Sequence, residues 1–138
     1  MIEPLAAPLR RIGVDVVGVA DGAAWQRVLP GCRSVVVFAS GGDALWRAWL
    51  GHLAGRPAEI DLPHPLDAFV RSALPADTGE VRWLPCAADA PLQVDFRALA
   101  LAAGLGWRSR LDLVLHPTHG PWLGLRAAAF TTAALRPT

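Results

Sequence analysis

The sequence predicts an α+β fold, a mixed sheet of about five strands with flanking helices, built as a single domain over residues 1–138. Three observations predict it. The runs Val14 to Ala20 and Ser34 to Ala39 are almost continuously apolar, which suits strands covered on both faces rather than strands with one wet side. Between such runs lie segments whose apolar residues recur at i, i+3, i+4 and i+7, the helical period. Strand-like and helix-like segments alternate irregularly, and the chain closes on two apolar runs around a Gly/Pro-rich reversal. With 53% hydrophobic residues in 138, there is ample material for a core.

In order, Leu5, Leu9 and Ile12 predict a first helix from about Pro4 to Ile12, stopped by Gly13. Val14 to Ala20 follows as a strand. Asp21 can cap a short helix through Leu29, ended by Pro30-Gly31. Ser34 to Ala39 reads as a central strand. Asp43 then caps a helix whose expected inner face is Trp46, Trp49, Leu50 and Leu53, with Gly55 at its end. Three prolines between Arg56 and Pro65 predict an extended loop, and Leu66, Phe69, Val70 and Ala73 predict another helix before Pro75. A strand from about Glu80 to Pro85 precedes a helix capped by Asp95, with Phe96, Leu99, Ala100 and Ala103 facing inward and Gly104 as its C′ residue. The last two strands are expected at 111–115 and 122–130, paired as a hairpin.

Composition narrows the function. The net charge is +1 and the charges are scattered, which argues against nucleic acid as a main partner and against a polybasic membrane patch. No segment has the roughly 18 uninterrupted apolar residues of a membrane helix, and the start lacks a secretory pattern; a soluble, cytoplasmic protein is expected. Lysine is absent, so Schiff-base and phosphate-loop lysine chemistry are excluded. There is no nucleophile elbow, no G-x-G-x-x-G element and no carboxylate pair at helical spacing. Cys32 and Cys86 are isolated and read as small buried side chains. His116 and His119 straddle a turn with no cysteine or carboxylate to complete a zinc set, so no metal site is expected there. His64, between two prolines, reads as a solvated loop histidine, and Trp25, Trp46 and Trp49 as core residues.

Functional signals concentrate between Gly104 and Trp122. The turn Gly104-Leu105-Gly106-Trp107 allows a ligand or another backbone to approach closely. The flat apolar faces of Trp107 and Trp122 invite the idea of an aromatic ligand cage, although fold packing explains them too.

This stretch, G-L-G-W-R-S-R-L-D-L-V-L-H-P-T-H-G-P-W, resembles the pattern G-L-G-W-x-G-K-N-T-L-L-x-H-P-x-Y-G-S-W of the cobalamin-dependent epoxyqueuosine reductase family. Val16-Val17-Gly18-Val19 and Leu29 to Phe38 resemble that family's first two strands. The resemblance implies a nitroreductase-like sandwich related to the cobalamin-processing protein of methylmalonic aciduria type C. It also implies cobalamin as cofactor, held by Gly104, Leu105, Gly106, Trp107, Arg110, His116, Pro117 and His119. Asp89, in Ala88-Asp89-Ala90-Pro91, resembles the family's proton-donating aspartate, beside the plainer reading of a loop-capping residue. The chain departs from the pattern at Ser109-Arg110-Leu111, where the family has Gly-Lys-Asn, and at His119, which replaces a tyrosine. With two isolated cysteines it carries no iron-sulfur cluster, and an external electron-transfer protein is the implied partner. The alternative is a non-catalytic domain that self-associates as a homodimer or docks a partner.

Overall fold

Ser34–Ser40, the strand β2, is buried at all seven positions, as its unbroken apolar run requires. The computed structural model describes residues 2–138. Around β2 it assembles the helix α1 (Glu3–Arg10), the strand β1 (Val16–Asp21), the helices α2 (Ala44–Gly55) and α3 (Pro65–Ala73), the strand β3 (Val81–Pro85) and the helix α4 (Phe96–Ala102). Two short strands, β4 (Trp107–Arg108) and β5 (Val114–Leu115), precede the last strand β6 (Gly124–Thr131).

The main sheet has four strands in the order β1-β2-β6-β3. Every pairing in it is antiparallel. The sheet expected to be mixed therefore holds parallel strands only at one remove: β2 and β3 run the same way, joined through α2 and α3, and β6 lies between them against both. Side chains alternate between two cores. Val35, Val37, Ala39, Leu84, Ala128 and Phe130 meet α4, while Val36, Phe38, Trp83, Ala127 and Ala129 meet α1, α2 and α3. The architecture is the α+β one the sequence predicts.

Four local expectations change, the first being that the Arg56 to Pro65 stretch, expected as an extended loop, contains a 3₁₀ helix at Pro57–Asp61. The segment after Asp21 forms only a single 3₁₀ turn, Ala23–Trp25, although the aspartate does accept the Ala23 amide at 3.0 Å. On α2 the buried residues are Leu45 and Trp49, which leaves Trp46 52% exposed and Leu50 outside as well. The expected terminal hairpin does not form, because both edges of β6 are taken by β2 and β3; β5 pairs instead with β4 in a separate two-stranded ribbon. By contrast α4 forms as read, with Asp95 Oδ1 accepting the Ala98 amide at 3.1 Å and Gly104 at φ 73° just beyond its end. No helix among the described residues is long and apolar enough to cross a membrane.

Phe130 is fully buried against Trp25, with ring centroids 5.6 Å apart. Phe130→Ala should cost about 3–5 kcal/mol in urea unfolding through the cavity it leaves. Trp46→Ala, on the exposed face of α2, should change stability by no more than about 0.5 kcal/mol; a larger loss would place Trp46 in the core after all.

Candidate functional site

Because β6 is antiparallel to β2 and β3, its start lies at the same end of the sheet as their last residues. That end gathers three segments: Ser40-Gly41, Cys86 to Ala88, and the ribbon with its turn, 107–123. Arg126 links them. Its Nε donates to Ser40 Oγ at 3.0 Å, and its carbonyl accepts the Cys86 amide at 2.8 Å.

The ribbon is fastened by two glycines. A β-carbon on Gly106 would overlap the carbonyl oxygen of Leu115, so the close approach this glycine permits is to the backbone of β5. A β-carbon on Gly41 would overlap the His119 ring, so that imidazole lies directly on the backbone after β2. Gly104 faces the carbonyl of Thr138, whose hydroxyl donates to Ala103 O at 2.5 Å. Leu105 is a buried core residue beside α4.

His116 organises the turn. Its Nδ1 accepts the backbone amides of Thr118 at 3.1 Å and His119 at 3.2 Å, while the 116–120 backbone pair closes the loop. An Nδ1 that accepts puts the ring proton on Nε2, so neutral His116 offers an N–H donor there and no lone pair. The His116 and His119 rings stack with centroids 4.9 Å apart. Burial first, and the neighbouring His119 second, hold His116 below its ordinary pKa. Pro117 and Arg110 are exposed, and Arg110 has no acidic partner among the described residues. Trp107 is 56% and Trp122 82% exposed, with Leu111 and Leu113 also open to solvent.

Asp89 lies apart from these residues in hydrogen-bonding terms. Its carboxylate, 67% exposed, takes two bonds of 3.2 Å from Arg71 of α3 and so ties the loop after β3 to that helix. Open to water and paired with a guanidinium, this carboxylate is placed as a tether.

Sequence reasoning missed a cleft of roughly 510 Å³ between the starts of α3 and α4, lined among others by His64, Asp67, Cys86, Asp95, Arg97 and Leu125. His64 stands at its lip with φ 56°, a left-handed conformation uncommon for histidine. It is exposed as expected, but it also borders a second hollow shared with Arg71 and Asp89. The proline on each side of His64 was the available signal. Within the cleft, burial and the nearby Asp67 push the Cys86 thiol up despite Arg126, so it stays protonated. No group of three or more His, Cys, Asp or Glu among the described residues converges as a metal set would.

Two measurements check the ribbon. Gly106→Val should lower stability by about 1–3 kcal/mol in urea unfolding through the clash with Leu115, and an unchanged midpoint would contradict that packing. His116 binds fewer protons folded than unfolded, so its contribution is whole above about pH 6.5 and is lost as the pH falls through the lower folded value. An NMR titration should show His116 with a midpoint below 6.5, with the Thr118 and His119 amide shifts following it; a midpoint at or above the ordinary value would contradict the acceptor role.

No protein-family model and no curated protein matches this sequence. Solved structures do share its fold. It is similar to epoxyqueuosine reductase from Bacillus subtilis, in a structure with the catalytic aspartate loop swung out of the active site, with TM-score 0.55 and 17% identity over 99% of this chain. An epoxyqueuosine reductase with an epoxyqueuosine-modified tRNA-Tyr stem loop gives TM-score 0.53, and a selenomethionine-labelled one 0.55, each again at 17% identity over 99% of this chain. The chain spans 46% of each of these three, about half their length. At such identity the likeness is one of fold.

Proposed function

We propose that this chain is a cobalamin-binding, reductase-like domain that draws electrons from a separate protein. The observation that carries the reading is a coincidence: the Gly104 to Trp122 motif resembles the epoxyqueuosine reductases, and the fold compares independently with the same reductases over 99% of the chain.

The residues present fit a corrinoid. The ribbon presents Trp107, Leu113 and Trp122 to solvent, an apolar surface on which a macrocycle can lie. Nε2–H of His116 and the guanidinium of Arg110 are donors suited to the carboxamides around a corrin. His119 and Pro117 would border it, while Gly104, Leu105 and Gly106 act from beneath by shaping the ribbon. In the tautomer that these two bonds imply, His116 would serve as a hydrogen-bond donor and not as a cobalt ligand. Bound cobalamin supplies a cobalt ion that changes oxidation state. These 138 residues carry no cluster motif and two isolated cysteines, so in this reading the electrons reach the domain from outside it. Asp89 is a tether to α3 in this arrangement, and the proton-donor role would require its pair with Arg71 to open.

A second reading, a cofactor-free domain that self-associates as a homodimer, is favoured by Trp46 and Leu50 on the outer face of α2. Light scattering on the unliganded protein distinguishes it: a dimer without cobalamin affinity supports this second reading alone.

The experiment is ultraviolet-visible titration with hydroxocobalamin, followed by gel filtration. We expect a spectral shift and co-elution at tens of micromolar, weakened about tenfold by Trp107→Ala or Trp122→Ala, equivalent to about 1.4 kcal/mol. Absence of any shift or co-elution in the parent protein would remove the reading.

A further inference from the structure

The turn joining β4 to β5 concentrates positive charge around an apolar tip. Asp112, at φ 60°, is shared by two arginines, accepting from Arg97 Nη1 of α4 at 2.7 Å and forming an ion pair with Arg108 Nε at 3.2 Å. Arg97 Nη1 also reaches the Asp112 carbonyl at 3.1 Å. Arg110 adds a third guanidinium with no acid opposite it among the described residues. The nearest further carboxylate in sequence to Arg97, Asp95, is committed to capping α4. Three arginines therefore face solvent against one aspartate, in a molecule whose net charge is only +1. In the same turn Leu111 is 81% exposed.

The patch is also held in place. Ser109 Oγ accepts the amides of Leu111 and Leu113 at 3.2 Å each, and the Ser109 amide donates to Leu113 O at 2.8 Å. Sharing Asp112 fixes two of the three guanidinium groups, which reduces the ordering that binding costs. An exposed leucine in one short turn with two prepositioned arginines is the composition of a protein-binding centre. A nucleic-acid channel would instead be a groove of cations with stacked aromatics, and this patch is the tip of a turn.

We infer that the 108–112 turn, with Arg97 beside it, docks a small acidic redox protein, its carboxylates meeting Arg97 and Arg108 and an apolar contact at Leu111, while Trp107 and Arg110 stay with the cofactor face. The choice of a redox partner rests on the cofactor reading above. The surface itself rests on charge and exposure, and docking here would bring the donor beside the ribbon.

The test uses two strongly acidic probes, a flavodoxin and a plant-type [2Fe–2S] ferredoxin, in calorimetric titration with the full chain. At least one should bind, and binding should weaken about tenfold or more between about 0.02 and 0.2 M salt. Arg108→Glu and Leu111→Glu should each weaken it about tenfold or more, whereas Arg47→Glu on α2 should leave it unchanged. Leu111 is too exposed for its substitution to act through unfolding, and circular dichroism confirms the fold of each variant. Failure of both probes to bind, binding unmoved by both substitutions, or capture of an RNA stem loop through these residues in place of the acidic proteins would overturn the proposal. Hydroxocobalamin titration of the same samples reads the cofactor separately. Cobalamin binding without either probe sinks the docking surface alone, and probe binding through the tip without cobalamin upholds the surface while sinking the cofactor reading.

Discussion

The placement of β6 between β2 and β3 is the constraint on which the rest depends. Every residue from Ala127 to Thr131 is buried, paired on both edges and covered on both faces. A strand so placed must be small where the helices press closest, and Ala127-Ala128-Ala129 meets that need, with Phe130 filling the space beside Trp25. Since β6 is also the last strand, the segment before it must cross the end of the sheet to reach the centre. The ribbon occupies that crossing.

This explains why a stretch with little regular structure is nonetheless well defined. Gly106 lets the β4 backbone meet β5, Gly41 lets the His119 ring settle onto the loop after β2, and Arg126 joins Ser40 to the start of β6. His116 then closes the turn by accepting two amides that would otherwise lack partners. With the backbone satisfied internally, Trp107, Leu111, Leu113 and Trp122 are left outside. Large apolar side chains held outside a packed structure are the usual mark of a binding surface.

Much of the frame was legible in the sequence because its signals are local. The unbroken apolar run of β2, the aspartate that caps α4 and the glycine that ends it all act within a few residues. The misreadings arise where the deciding contact is distant. On α2, Trp46 and Leu50 fit the helical period as well as Leu45 and Trp49 do, and only the folded surroundings, for Leu45 the cluster with α1, α3 and the sheet, select the second pair. The apolar run 111–115 looked like a partner for the last strand, but strands far away in sequence had claimed both its edges. At the site, the glycine turn signalled a close approach without revealing that the Leu115 backbone makes it. The motif between Gly104 and Trp122 stood out from the start, whereas the cleft beside α3 and the Arg97–Asp112 link depend on long-range assembly.

The reading proposed above puts a corrinoid on the solvent face of this ribbon. Hydrogen–deuterium exchange with and without saturating hydroxocobalamin tests it most directly, because it locates contact without requiring turnover. The account predicts slowed exchange confined to 104–122 and the adjoining Gly41 loop, with β6 slow in both states. Protection centred instead on 64–72 and 86–95, around the cleft between α3 and α4, with the ribbon unchanged, would contradict it.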